Sequence, residues 1–378
     1  MVNAVGSMLY AVMTLYIYHI SNDYFLVGLM MALPFLAAVP MSFIWGMVSD
    51  RLGNRRYVVA FGGVVGGALF FALPYTDAVG MIALRFVQVL FTSSWVLVNA
   101  IVTEYYPANK GRSVGDVSLM GALGGTLGGL AAGFIVPASA LELGSPEIKW
   151  MFFAAGILTA ISALAILAIR ETPKKAGSVS MRNLLHFGER RQVGLVAAVA
   201  LILPLGGYVV FSVFPIYLSG LDIGWDSTMT TGVFVALSAV TGILASGLAG
   251  RACDRFGRKW VLFGAGIWYV AVWLGMGLFR DPIITAVLWA LPVWNFFYIS
   301  ATAAVSDLTK DEERGRGIGL VNSAINLGGA IGSILAGYLL ARGAIDNFFF
   351  LAAAIAVVGT IVALGVKETL VKPRGSQR

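Results

Sequence analysis

The sequence predicts an all-α membrane protein of twelve transmembrane helices in two pseudo-symmetric six-helix bundles. Three observations carry this. The chain is 58% hydrophobic and only 12% charged, with mean hydropathy +0.85, more apolar surface than a water-soluble domain can bury. Its apolar residues run on for about twenty positions at a time, the length of a spanning helix, whereas barrel strands would alternate over about ten. And a charged turn occurs twice between such runs, as Gly46-Met-Val-Ser-Asp50-Arg51-Leu-Gly53-Asn-Arg55-Arg56 and as Gly250-Arg-Ala-Cys-Asp254-Arg255-Phe-Gly257-Arg258-Lys259.

In order along the chain, the apolar runs place spans at 1–20, 24–48, 57–75, 79–104, 113–137, 149–170, 192–219, 228–250, 259–279, 282–305, 315–341 and 345–366. Residues 171–191, with Gly, Ser and paired basic residues, form the longest polar stretch and read as a cytoplasmic linker. They separate an N-terminal bundle (1–170) from a C-terminal bundle with a short cytoplasmic tail (192–378). At the offset that aligns Gly46 with Gly250, Lys110-Gly111-Arg112 falls on Arg314-Gly315-Arg316, Leu123-Gly124-Gly125 on Leu327-Gly328-Gly329, and Gly133 on Gly337. No insertion is needed, so the halves are parallel repeats, one of the known transporter plans. The counterpart of Gln192, where span seven begins, falls before Met1. The first span therefore lacks an inner end, and the true start is expected upstream.

A net charge of +7 could suggest nucleic acid, but its placement argues otherwise. Nearly all Lys and Arg fall in loops on the side of the two turns, while Lys149, Arg280 and Arg342 alone lie opposite and Arg85 lies within span four. This bias sets both termini in the cytoplasm of a multi-pass cell-membrane protein. Cys253 is the single cysteine, so disulfides and cysteine-based metal sites are excluded. With two histidines and no nucleophile or metal motif in a usable setting, an enzyme is not expected. No cofactor or nucleic acid is expected either; the expected partners are a small-molecule substrate and the bilayer, and the expected state is a monomer.

Polar residues inside the spans mark candidate cavity walls. Arg85, Gln88, Thr92, Trp95, Asn99 and Thr103 fall on one helical face of span four. Span seven offers Tyr208 and Ser212, span ten Trp289, Asn295 and Tyr298, span eleven Asn322 and Asn326, and span one Tyr10. Trp45, Trp150 and Trp225 near span ends fit the interfacial aromatic belt. Gly121, Gly125, Gly129 and Gly133 recur every fourth residue in span five, a spacing that lets helix backbones touch, either as a hinge surface or as static packing.

The duplicated turn resembles the signature of the major facilitator superfamily, Gly-x-x-x-Asp-Arg/Lys-x-Gly-Arg/Lys-Arg/Lys; the first copy departs at Asn54 and the second matches throughout. The resemblance covers essentially the whole chain and implies a cavity lined by spans one, four, seven and ten with alternating access. In that layout span two faces span eleven. Asp50 is then expected to dock at the start of span eleven near Gly315–Gly317, beside Arg316, and Asp254 at the start of span five near Gly111–Ser113, beside Arg112, latching the inner face. Helix N-termini favour an anion there. Glu104 is expected against Arg51, Arg55 or Arg56, and Asp307 against Arg255 or Arg258. The family's Arg-x-x-Gln-Gly pattern, linked to proton coupling or substrate binding, carries over to Arg85 and Gln88 only, since Val89 replaces the glycine. Gly121-Ala-Leu-Gly-Gly125-Thr126-Leu-Gly128-Gly129 resembles the span-five motif of drug/proton antiporters but lacks its proline. The reading is a secondary transporter working by rocker-switch motion, with proton-coupled efflux of a small organic molecule set beside a sugar or organic-acid importer or an uncoupled facilitator. Whether protons are coupled is left open.

Overall fold

The computed structural model describes residues 1–98, 101–102, 110–169, 190–221, 223–310, 313–343 and 348–370. Among them ten helices are long and apolar enough to cross a membrane, and two shorter apolar helices, Leu119–Ile135 and Phe348–Leu364, accompany them. We number the spanning helices in chain order: α1 (Val2–Ser21), α2 (Tyr24–Leu52), α3 (Arg55–Leu69), α4 (Ala78–Thr92), α5 (Lys110–Ile135) and α6 (Pro146–Ala165). Then follow α7a (Arg190–Phe211) with its continuation α7b (Phe214–Ser219), α8 (Ser227–Phe256), α9 (Arg258–Leu278), α10a (Pro282–Ala290), α10b (Val293–Leu308), α11 (Arg314–Ala341) and α12 (Phe348–Leu364).

Short polar residues start these helices. Asp23, Asp226 and Asp281 each accept a hydrogen bond from a backbone N–H of the first turn of α2, α8 and α10a, filling donors that helix geometry leaves open. Two spans expected to be continuous are broken. The tenth parts at Leu291-Pro292, because Pro292 has no N–H to continue the ladder. The seventh parts at Ser212-Val213, just ahead of Pro215. The fourth tightens into a 3₁₀ stretch at Ser93–Val96 and is helical again at 97–98 and 101–102.

The buried residues form separate clusters. One unites α7a to α12, with Leu203, Phe297 and Ala352 fully covered. Two others hold α1 to α6, one around Tyr16, Phe70 and Phe152, the other around Trp45, Val59 and Ile101. Trp45 is not interfacial: it is 8% exposed and donates its indole N–H to the Leu90 carbonyl, 2.9 Å away, joining α2 to α4. Trp150 and Trp225 are exposed.

Across the two groups of helices, α2 runs antiparallel to α11 and α5 to α8. A Cβ at Gly28 would strike the Ser333 carbonyl and lie 2.8 Å from the Gly337 Cα, and one at Gly133 would lie 2.7 Å from the Met229 Cα. Such backbone contact is how small residues hold helices together without a hydrophobic drive. Tyr18, Tyr24, Ser219, Arg280, Leu340 and Phe348 border one pocket, so the starts of α2 and α12 and the ends of α7b and α11 share one end of the molecule, here the far end. The two charged turns close α2 and α8 at the opposite, turn end.

Candidate functional site: the two charged turns and the interface they flank

Both turns rest on a glycine that reverses the chain between two helices. Gly53 takes φ 64° and Gly257 φ 99°, a region costly for any residue with a Cβ. Cβ atoms at Gly46 and Gly250 would meet open space. The turns then diverge at one position.

In the second turn Arg258 lies 2.9 Å from Asp307 at the end of α10b and 3.3 Å from Asp254. Glu368, after α12, accepts hydrogen bonds from the backbone N–H groups of Arg258, Thr369 and Leu370, and the Thr369 hydroxyl donates to Asp307. Charge-assisted bonds of this kind tie three helix ends into one rigid corner. Arg255 and Lys259 lie over the rings of Phe256 and Trp260.

In the first turn the residue equivalent to Arg258 is Asn54, whose side-chain oxygen is buried without a hydrogen-bond partner among the described residues. Arg56 donates to the Ile169 carbonyl at 3.2 Å and to the Tyr57 hydroxyl. Arg51 and Asp50 are exposed, and Asp50 makes no hydrogen bond or ion pair among the described residues. Arg316 lies 3.7 Å from Glu313 on its own helix. Arg55 opens α3 and Arg112 falls in the first turn of α5. Asn99, Thr103, Glu104 and the side chain of Arg112 lie outside the described residues, as does the linker up to residue 189.

The interface between the two groups is closed at the far end. Tyr24 and Gly28 touch Gly337, and Phe35 touches Gly329. Gly129 meets Gly232 and Val235, and Gly133 meets Met229, whereas Gly121 and Gly125 face Asn3 and Ser7 of α1. The span-five ladder thus serves two neighbours in turn. Asp226 accepts a 2.7 Å hydrogen bond from the Ala138 backbone N–H, and the Thr228 hydroxyl donates to the Val136 carbonyl. Burial pushes the Asp226 carboxyl up, but the Thr228 hydroxyl and the N–H groups of Ala138, Thr228 and Met229 outweigh it and hold it below the usual carboxylate range. Sequence reasoning missed this clasp, since Asp226 reads as an ordinary cap; its counterpart position, Asn22, gives no hint of a crossing bond.

Midway, Tyr10 donates to the Phe211 carbonyl at 2.8 Å and stacks on the Phe211 ring, and Phe35 packs edge-on to Tyr208. Beside this junction lies a cavity of about 400 Å³ between α7a, α8, α9 and the break in α10, lined by Tyr208, Phe211, Tyr269, Trp273, Trp289 and Asn295 among others. Asn295 donates to the Gly242 carbonyl, Trp289 to the Phe234 carbonyl, and Tyr298 to Asn322; Asn326 donates to the Asn322 carbonyl. Arg85, Gln88 and Thr92 do not line this cavity. Arg85 donates to Gln88, itself 1% exposed, and stands over the ring of Phe70, which caps the end of α3. Thr92 donates to the Gln88 carbonyl and sets its methyl against Gly66 of α3. The polar face of α4 turns toward α3, whose glycines leave room for it.

The family profile described as Major Facilitator Superfamily matches residues 1–251 and 196–378. Multidrug resistance protein 2 of Bacillus subtilis (strain 168) is 31% identical over 161 residues, 42% of this chain and 40% of that protein, so the matched length is well under half of that relative. Multidrug resistance protein MdtG of Escherichia fergusonii is 23% identical over 288 residues, 74% of this chain and 67% of that protein. The crystal structure of a bacterial homologue to the human lysosomal transporter Spinster, inward-facing and occupied, superposes with TM-score 0.81 at 13% identity, covering 98% of this chain and 96% of that one; at that identity the likeness is one of fold.

Proposed function

Because the chain belongs to the Major Facilitator Superfamily, we propose that it is a secondary active transporter carrying a small, drug-like organic solute out across the cell membrane in exchange for protons. The observation that carries the reading is the unequal interface: backbone seams at the far end, and an exposed, unengaged Asp50 at the turn end. Two blocks seamed at the far end and joined midway, with Asp50 unengaged among the described residues of the turn end, fit one half of a rocker-switch cycle. In the other half, Asp50 docks on the N-terminus of α11 and Asp254 on that of α5, and the far-end seams part. The Lys and Arg excess on the turn side supports placing that end, and both termini, in the cytoplasm. Residues 1–170 and 192–378 are then the moving blocks of a monomer, joined by 171–191. Relatives named for multidrug resistance support a drug-like solute. A sugar or organic-acid importer or an uncoupled facilitator is the alternative that the fold allows.

The test is flux of amphipathic dyes, sugars and organic acids in proteoliposomes, with and without an imposed pH gradient. Dye movement that follows the gradient and is lost in Asp50→Asn is the expected result. Dye or sugar flux indifferent to the gradient would replace antiport by facilitation, and normal flux in Asp50→Asn would remove the latch.

A further inference from the structure

The cavity beside the α10 break has a chemistry that selects its occupant. Its walls are aromatic, yet the rings are largely committed to one another. Trp289 lies flat on Phe214, with centroids 3.7 Å apart and planes 7° apart, and parallel to Phe211 at 6.1 Å. Trp273 stacks on Tyr269 at 5.9 Å, and Trp294 on Tyr298 at 6.1 Å. A cage for an organic cation needs open π faces or a carboxylate. No lining residue is acidic, and rings stacked face to face offer their electropositive edges instead.

The uncommitted polar groups point the same way. The Trp273 indole N–H is buried with no partner among the described residues. Tyr269 is 6% exposed, and its hydroxyl and that of Tyr208 make no hydrogen bond among the described residues. The indole can only donate and the two hydroxyls can donate, in a site whose one lining amide, Asn295, already gives its N–H to a backbone carbonyl. Donors left open around a cavity favour a ligand that supplies the lone pairs.

We propose that this cavity, set inside the C-terminal bundle, binds an uncharged planar aromatic molecule carrying a carbonyl or ring acceptor, and discriminates against a cation of the same shape. The site deepens the transport reading by naming its solute class, but it is tested by binding alone. Because Tyr208 and Phe211 also touch Phe35 and Tyr10 of the N-terminal bundle, an occupant here presses on the junction between the bundles.

The experiment uses the full chain in lipid nanodiscs and two tricyclic probes, 10-methylacridone (neutral, with a carbonyl) and 10-methylacridinium (cationic, without one). Equilibrium dialysis against empty nanodiscs corrects for partition into lipid. The expected result is saturable binding of one 10-methylacridone per chain, with the acridinium weaker by about tenfold or more. Gly207 lines the cavity, and a Cβ there meets nothing within 4 Å. Gly207→Leu therefore fills the space without disturbing its neighbours and abolishes binding at an unchanged unfolding temperature. Tyr269→Phe, which removes only the hydroxyl, weakens binding by about fivefold. Such binding upholds the assignment whatever flux the vesicles show. Acridinium binding as tight as acridone, or acridone binding untouched in Gly207→Leu, overturns it even if another solute is carried.

Discussion

At the far end the two bundles meet backbone to backbone, and at the turn end they hold their charges to themselves. Gly28 on Gly337 and Gly133 on Met229 close the first region through main chain, with the Asp226 and Thr228 side chains clasping backbone groups beside them. In the second region Arg258, Asp307 and Glu368 form a corner inside one bundle, while Asp50 has no partner among the described residues. The difference teaches that the duplicated turn is not used twice in the same way. Where Arg258 stands, the acid beside it is tied down; where Asn54 stands instead, the acid is left available for a partner across the interface.

The largest expected effect comes from Gly28→Val, whose Cβ collides with the Ser333 carbonyl. Transport falls by about tenfold or more at normal insertion, since a seam built on close approach cannot reseat. Spin labels at Val79 and Ile283, exposed on opposite bundles at the far end, should move apart. Next, Asp50→Asn is expected to cut transport by about tenfold while leaving the unfolding temperature unchanged, because the carboxylate has no partner among the described residues in this state. A drop in stability as large as that of Arg258→Gln would erase the contrast between the turns. Arg258→Gln leaves Asp307 and Asp254 without their cation and costs about 1 to 2 kcal/mol, read as a lower unfolding temperature with a smaller loss of flux.

The far-end clasp supplies a pH prediction. The Asp226 carboxyl is held below its usual range when the far end is closed. Its contribution to closure is therefore complete above the ordinary carboxylate value and fades only as pH falls through the lowered one. The label distance should stay constant between about pH 5 and pH 8 and widen only in stronger acid. In Asp226→Ala it should widen at every pH, by less than in Gly28→Val. A transition near neutrality would mean that another group governs the clasp.

Much of this was legible in the sequence, and for definite reasons. Span lengths follow from bilayer thickness, and the repeat follows from Gly46 and Gly250, Lys110 and Arg314. The break at Leu291-Pro292 was hidden because a proline inside an apolar run carries no polarity signal. Trp45 sits near a span end by number, yet α4 covers it. Tyr269 and Trp273 passed unnoticed in the ninth span, although their spacing of one helical turn puts both on one face. The polar stripe of α4 was found, but periodicity gives a face and not what it faces; the glycines of α3 decided that.

A joint made of main chain rather than side chains has no rotamers with which to yield by degrees. The contact of Gly28 with Gly337 is either seated or separated, so thermal agitation cannot bleed the barrier away through partial openings. For a carrier this makes leakage rare: there is little chance that both doors stand ajar together.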